Sequence, residues 1–343
     1  MSRLKRSLPR RRTVAGIDPN TTDVRLLRGH IKHLETELHQ AAHIRDRVVA
    51  LGLGNALNES PEDWAPFLQF APPGHFYSPI PRMSDIDRRA AAIFDRSMRS
   101  LPGIDLNEAG QVELFDTFVE LLDGWPFPET KQDPWRYFSG EGNFAYCLGD
   151  AMALHSMLRH FRPRRLVEIG SGFSSCMTLD TNEHFLDSSI DITFIEPYPE
   201  LLYRLLGDER GSATVLEQPL QDVGDEVFAK LEAGDVLFID STHVAKVGSD
   251  VNVLFTRVLP LVKSGVVIHI HDVFWPFEYP ADWVREGRAW TELYVLRSFL
   301  QFNNDFEVLF FNDWFTLFER DRVHERFPRL LDAPGGALWL RRL

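Results

Sequence analysis

The residues of this 343-residue chain that could do chemistry gather where apolar runs end. In Leu166-Val167-Glu168-Ile169-Gly170-Ser171-Gly172-Phe173-Ser174-Ser175, an apolar run meets a two-glycine turn, with an acid just before the first glycine. A strand that feeds such a turn and then a helix offers unpaired backbone amides, and glycine lets the backbone approach a ligand closely. Side chains at Gly170 or Gly172 are therefore expected to obstruct binding. An adenosine-containing cofactor fits this arrangement. A dinucleotide fingerprint would place a third glycine at Ser175, for close helix packing and a pyrophosphate, whereas Glu168 suits a cationic group. The combination points to S-adenosylmethionine, which carries an ammonium and a sulfonium, with Glu168, Gly170, Ser171, Gly172, Ser174 and Ser175 around it.

A second apolar run ends in Phe194-Ile195-Glu196-Pro197-Tyr198, near the spacing at which an acid takes the two ribose hydroxyls of adenosine. After a third run comes Gln218-Pro219-Leu220-Gln221-Asp222, where Gln221 or Asp222 is expected to bond the adenine amine. Asp222 reads equally as a helix N-cap. A fourth run ends in Asp240-Ser241-Thr242-His243 and a fifth in His269-Ile270-His271-Asp272. If these tips are neighbours, Asp240 faces both cofactor and acceptor, and Asp240, His271 and Asp272 form the shell of a divalent ion. An oxygen-rich shell favours Mg²⁺, and imidazole also admits Mn²⁺ or Fe²⁺. A hydroxyl held on such an ion loses its proton more readily. His243 is then the expected general base, because its ordinary pKa lies near neutrality. His269, two residues before His271 and deeper on the same strand face, reads as a hydrogen-bonded core histidine.

An acceptor wall is expected from 273–283, which is unusually aromatic. Trp275, Tyr279 and Trp283 could stack on the apolar faces of a pyranose, and Glu278 or Asp282 could accept from its hydroxyls. The proline-rich loop 72–81, with His75 and Tyr77, and the segment 136–143 are further candidates for closing the pocket.

Apolar strands spaced by helices are needed to position these tips. Strands are predicted at 165–169, 192–196, 214–217, 235–240, 266–271, 306–311 and 337–341, with a helix over 144–160 leading into the first. The predicted fold class is α/β, a doubly wound, mostly parallel, seven-stranded Rossmann-like sheet with a helical N-terminal extension. Residues 1–20 read as a disordered basic tail and 21–143 as a helical region. Its stretch 22–53 carries a heptad-like stripe suited equally to packing on the chain's own body or to pairing with a second copy, and the latter makes a homo-oligomer the expectation. Residues 144–343 read as the cofactor-binding domain. A net charge of -13 argues against a nucleic-acid partner. Lacking an apolar segment behind the basic tail, or one long enough to span a membrane, the chain is expected to be cytoplasmic. Cys147 and Cys176 are too few for a disulfide framework.

From about 144 to 318 the pattern resembles class I S-adenosylmethionine-dependent methyltransferases. The resemblance is carried by Val167-Glu168-Ile169-Gly170-Ser171-Gly172, Phe194-Ile195-Glu196-Pro197 and Leu237-Phe238-Ile239-Asp240-Ser241-Thr242-His243. Asp240-x-x-His243 followed by an acidic fifth tip is similar to the metal-dependent sugar O-methyltransferases of the macrocin and mycinamicin type. That resemblance implies Mg²⁺ on Asp240 and Asp272, His243 as base, and a saccharide or glycosylated small molecule as acceptor. Where that group commonly has Glu-Asp, this chain has His271-Asp272. A non-haem iron oxygenase using the imidazoles and a carboxylate leaves the glycine turn unexplained. A catalytically silent cofactor-binding protein is disfavoured by the intact strand-end chemistry.

Overall fold

The computed structural model describes residues 70–143, 145–207 and 213–343. The 22–53 helix with its stripe, and the basic tail, lie outside the described residues. The chain divides into two compact units, residues 1–73 and 74–343, and the fold is that of the second.

Five parallel strands form its centre: β1 (Arg165–Ile169), β2 (Asp191–Ile195), β3 (Thr214–Leu216), β4 (Val236–Ile239) and β5 (Val267–His271). They are completed by β6 (Phe306–Phe311) and β7 (Ala337–Arg342), with β7 antiparallel to both β5 and β6. The spatial order β3-β2-β1-β4-β5-β7-β6 makes one seven-stranded sheet. A parallel sheet needs helical cover on both faces, so its central strands are mostly apolar rather than alternating, with Glu168 of β1 and His269 and His271 of β5 as buried polar exceptions. Accordingly β4 and β5 are buried at every residue. Burying a side chain such as Phe238 or Ile268 contributes about 1.5–3 kcal/mol.

The doubly wound sheet expected from the sequence is present, and its strands end where the chemistry begins. β2 stops at Ile195 and β4 at Ile239, one residue short of the expected ends, so Glu196 and Asp240 stand just beyond the ladder. The register makes the tips level. Ile169 pairs with Ile195 on one side and Ile239 on the other, and Ile239 pairs with Ile270. Gly170, Glu196, Asp240 and His271 therefore form one row. Between β1 and β4 the strand order reverses, and the diverging connections leave a crevice there.

The helix leading into β1 runs from Leu148 to Phe161 rather than from 144. It ends at Arg162 in a left-handed conformation (φ 46°), and Pro163 cannot continue it. Helices Met83–Ile93 and Glu108–Leu121 belong to the same compact unit as the sheet. The Phe115 ring lies 4.8 Å from Phe315, Phe118 lies 5.2 Å from Phe310, and Gln111 Oε1 accepts from the amide of Phe311 at 2.9 Å. The second unit thus begins at Gly74. Among the described residues no helix is long and apolar enough to cross a membrane.

Candidate active site

The turn after β1 is fixed by backbone contact. Gly170 has φ +77°, and a Cβ there would stand 1.9 Å from the carbonyl oxygen of Asp240. Its glycine is therefore demanded by the neighbouring strand tip. A Cβ on Gly172 would make an ordinary 3.6 Å contact with Leu201, so only a ligand would oppose a side chain there. Helix Phe173–Phe185 starts next, and Ser175 Oγ accepts from the Gly172 amide at 3.0 Å while donating to Glu168 Oε1 at 2.7 Å. The position of a third dinucleotide glycine is thus occupied by a capping hydroxyl.

Glu168 itself is fully buried, and Ser174 Oγ adds a second 2.7 Å bond to Oε1. Burial pushes its carboxyl up to about 8, the charges of Asp240 and Glu196 add to this, and the two serine hydroxyls oppose it. With Oε1 taken by the two serines, Glu168 keeps Oε2 buried and without a protein partner. It braces the turn from beneath, because a carboxyl on the penultimate residue of β1 points into the sheet's cover instead of beyond its edge.

The crevice comprises two adjoining clefts of about 520 and 250 Å³, which share Gly170, Glu196, Asp240 and Ser241. The larger is also lined by Pro197, Tyr198, Gln221, Lys246 and Asp250, the smaller by Tyr146, Ser171, Gly172 and Ser174. Glu196 is oriented by two amides, Ser171 N to Oε2 at 3.0 Å and Tyr198 N to Oε1 at 2.8 Å, which leaves lone pairs facing the cleft. Burial raises its pKa against these two bonds. Ser171 Oγ is buried with no protein partner. Gln221 lines the cleft with its Nε2 donating to Gly248 O at 2.8 Å, whereas Asp222 is exposed and outside the lining. Of the two only Gln221 lines the cleft, although both lie in the short 3₁₀ turn Leu220–Asp222.

At the other end of the crevice His243 is surrounded by acids. Its Nδ1 lies 2.9 Å from Glu292 Oε2, and its Nε2 lies 3.4 Å from Asp240 Oδ1 and 3.5 Å from Asp272 Oδ2. His243 (φ 60°) and Asp272 (φ 55°) both sit in the left-handed region, a costly backbone state that persists only where surrounding structure imposes it. For His243 that structure is visible. The amides of Thr291 and Glu292 donate to its carbonyl at 2.9 and 3.0 Å, its own amide donates to Ser241 Oγ at 3.0 Å, and Ser241 Oγ donates to Glu292 Oε1 at 2.9 Å. Burial pulls the His243 pKa down, but its bonds to Asp240 and Glu292 win and hold it well above the ordinary value. Asp240 is held below the usual carboxylate range, since the nearby His271 and His243 outweigh its burial. Burial raises Asp272 against the same two imidazoles.

His271 is buried, with Nε2 3.6 Å from Asp272 Oδ1 and Nδ1 lacking a protein partner. Its pKa is raised: burial lowers it, and Asp272, Asp240 and Asp150 more than offset that. Asp150 is itself buried and pushed up to about 6 by that burial. His269 is in the core as expected but not hydrogen-bonded. Neither ring nitrogen has a partner, its ring stacks on Phe238 at 3.9 Å, and burial keeps it neutral.

The aromatic stretch divides. Trp275 is 1% exposed, donates its indole N–H to Met98 O at 2.7 Å and packs near Phe277, Phe311 and Phe318. It is a core residue and not an acceptor wall, because the sheet's cover needs an anchor there. Tyr279 lines a separate pocket, and Trp283 lies 5.5 Å from Trp290, whose ring packs 4.4 Å from that of His243. His75 and Tyr77 line none of these clefts, and both rings lie against Phe76. The 136–143 segment is tied down by Arg136, which bridges Asp180 and Glu183, and by Asn143, which bonds Phe138 O and Tyr146 O. Glu292, Asp250, Asp150 and Tyr146 were not singled out from the sequence. A capping-like acid at the start of helix Glu292–Leu300 has no pattern that marks it as a partner of His243.

Comparison with known proteins gives the arrangement its class. Residues 167–273, running from β1 to just past Asp272, match a family model described as a methyltransferase domain. An uncharacterized protein of Archaeoglobus fulgidus is 39% identical over 172 residues, covering 47% of this chain and 73% of that protein. The chain belongs to that protein's family and carries a methyltransferase domain. Among solved structures, the apo form of CmcI is similar at 16% identity over 57% of this chain and 71% of its own, with a TM-score of 0.37. CmcI with Mg and SAM gives 18% identity, 56% and 70% coverage and a TM-score of 0.34. The O-methyltransferase TomG of Streptomyces achromogenes, involved in tomaymycin synthesis and bound to SAM, gives 14%, 75% and 96%, and 0.35. Gly170, Glu196, Asp240 and Asp272 all fall inside the matched methyltransferase domain.

Proposed function

We propose that this methyltransferase domain uses S-adenosylmethionine to methylate a hydroxyl of a saccharide or glycosylated small molecule, assisted by a divalent ion. The observation that carries this reading is the level row of strand tips, in which a crevice walled by Gly170 and Glu196 is also lined by Asp240, whose carboxylate lies 3.4 Å from His243, itself 3.5 Å from Asp272. Glu196 would take the ribose hydroxyls and Gln221 the adenine. The acids Glu196 and Asp240 set up a negative field that a sulfonium relieves.

Transfer is a direct displacement. The acceptor oxygen attacks the methyl carbon in line, the carbon–sulfur bond breaks, S-adenosylhomocysteine leaves, and the hydroxyl proton passes to the neutral form of His243, which a cation held by Asp240 and Asp272 would favour by offsetting the charges that raise its pKa. Holding both reactants in that line is worth as much as any acid–base step. Glu292 fixes Nδ1 of His243 as the donor, so Nε2, between Asp240 and Asp272, exchanges the proton.

A divalent ion fits by donor chemistry. Asp240 and Asp272 offer oxygens, and His271 keeps a buried nitrogen with no protein partner. Among the described residues, however, no three such side chains already stand as a closed shell. Asp240, His271 and Asp272 would hold the ion, and the imidazole widens the choice from Mg²⁺ to Mn²⁺ or Fe²⁺. Bound there, it would supply Lewis acidity that eases loss of the acceptor's proton.

Mass spectrometry of a glycoside panel incubated with S-adenosylmethionine is the test. A product heavier by one CH₂ is expected, lost with EDTA, restored by Mg²⁺ or Mn²⁺, and reduced roughly 100-fold or more in His243→Ala. S-adenosylhomocysteine should raise the melting temperature of both wild type and variant. No such rise would overturn the reading, and transfer that survives chelation would remove the ion from it.

A further inference from the structure

Beside the cofactor crevice lies a pocket of about 280 Å³ walled by Tyr279, Trp290 and Tyr294, with Arg288 and Glu278 as its charged groups. Tyr279 meets Trp290 at 5.6 Å and 76°, and meets Tyr294 at 6.3 Å and 87°, so the rings form the sides of a box. Glu278 Oε1 accepts from the Tyr294 hydroxyl at 2.6 Å and the Tyr279 amide at 3.1 Å, which locks two of the walls. Because Trp290 also packs on the His243 imidazole at 4.4 Å, the box begins one ring's thickness from the reacting cluster. It adjoins the seat of the reacting hydroxyl without being that seat.

Arg288 gives the box its chemical preference. Its guanidinium carbon lies 4.1 Å over the Trp283 ring and 5.2 Å from the centre of the Trp290 ring, a position that cation–π attraction favours. The ion pair it makes, with Glu286 at 3.2 Å, joins side chains 37% and 52% exposed. A pair of that kind contributes about 0–1 kcal/mol, so a better-placed anion displaces it easily. A planar fork held by two indoles is pre-organised for two parallel bonds to an oxyanion, and ring walls suit the C–H faces of a sugar.

We propose that this box holds an oxyanion-bearing sugar ring of the acceptor, carboxylate or phosphate, with Arg288 as its counter-charge. The proposal rests on the methyltransferase reading of the adjoining site. Tryptophan-fluorescence titration of the full chain with methyl β-D-glucuronide, glucose 1-phosphate and methyl β-D-glucoside tests it. The two anionic probes are expected to bind roughly 10- to 100-fold more tightly than the neutral glucoside, and the tighter of them identifies the source of the charge. Arg288→Ala should abolish that preference. Arg288→Lys should restore part of it, because lysine keeps the charge and loses the fork. Equal binding of the neutral probe, an unchanged preference in Arg288→Ala, or no binding of any probe would overturn the proposal. Calorimetric titration with S-adenosylhomocysteine on the same samples reports separately on the cofactor: Arg288-dependent sugar binding without it would sink the methyltransferase reading and leave the box intact.

Discussion

On the β1–β2 side of the crevice the geometry is made by the backbone and by side chains that backbone amides orient. Gly170 turns under the Asp240 carbonyl, Ser175 caps the helix that follows, and Glu196 is oriented by the amides of Ser171 and Tyr198. On the β4–β5 side the geometry is made by side chains from distant segments, above all Glu292, which reaches His243 across 49 residues of sequence. The first side is a template that tolerates change except where backbone meets backbone. The second depends on one hydrogen-bonded chain, Ser241–Glu292–His243, holding a strained loop in place.

That contrast is open to a hard test at the turn. Gly170→Ala should cost about 3 kcal/mol or more of stability in chemical denaturation and abolish binding of S-adenosylhomocysteine, because both its positive φ and the Asp240 carbonyl exclude a Cβ. Gly172→Ala should fold as the wild type does and weaken only the ligand. If both variants are equally stable, the turn is not set by the neighbouring strand tip.

A smaller effect, confined to chemistry, is expected on the other side. Glu292→Gln should lower kcat for methyl transfer roughly 100-fold while leaving cofactor affinity and acceptor KM near wild type, with partial rescue by Glu292→Asp. Loss of cofactor binding instead would make Glu292 a brace for the whole crevice and erase the distinction between its two sides.

The smallest effect sharpens the picture beneath the turn. Burial raises the folded pKa of Glu168 to about 8, well above the ordinary glutamate range, so below the unfolded value both states are protonated and it costs nothing. As pH rises toward 8 the unfolded chain gains the ionised form first, and stability falls. The melting temperature of wild type relative to Glu168→Gln should therefore decline between about pH 5 and 8. A flat difference would mean that Glu168 is ionised in the folded protein.

Much of this was legible without coordinates of any kind. Strand periodicity and helical spacing give the parallel sheet, since a strand covered on both faces is mostly apolar, and the acids that end those runs have to lie at its edge. Gln221 against Asp222, the core position of Trp275, the unpartnered nitrogens of His269 and the role of Glu292 were not legible. Each depends on which way a side chain turns after a short irregular segment, and that direction is set by packing from elsewhere in the chain.

What the sequence by itself determined is the order of elements and the residue type at each tip, because both follow from local pattern and from the chemistry that glycine, carboxylate and imidazole alone supply. Only the tertiary structure decided which of those groups meet. The pairing register brings Gly170, Glu196, Asp240 and His271 level, and a helix start far along the chain completes the histidine, through hydrogen bonds that leave no periodic trace in the sequence.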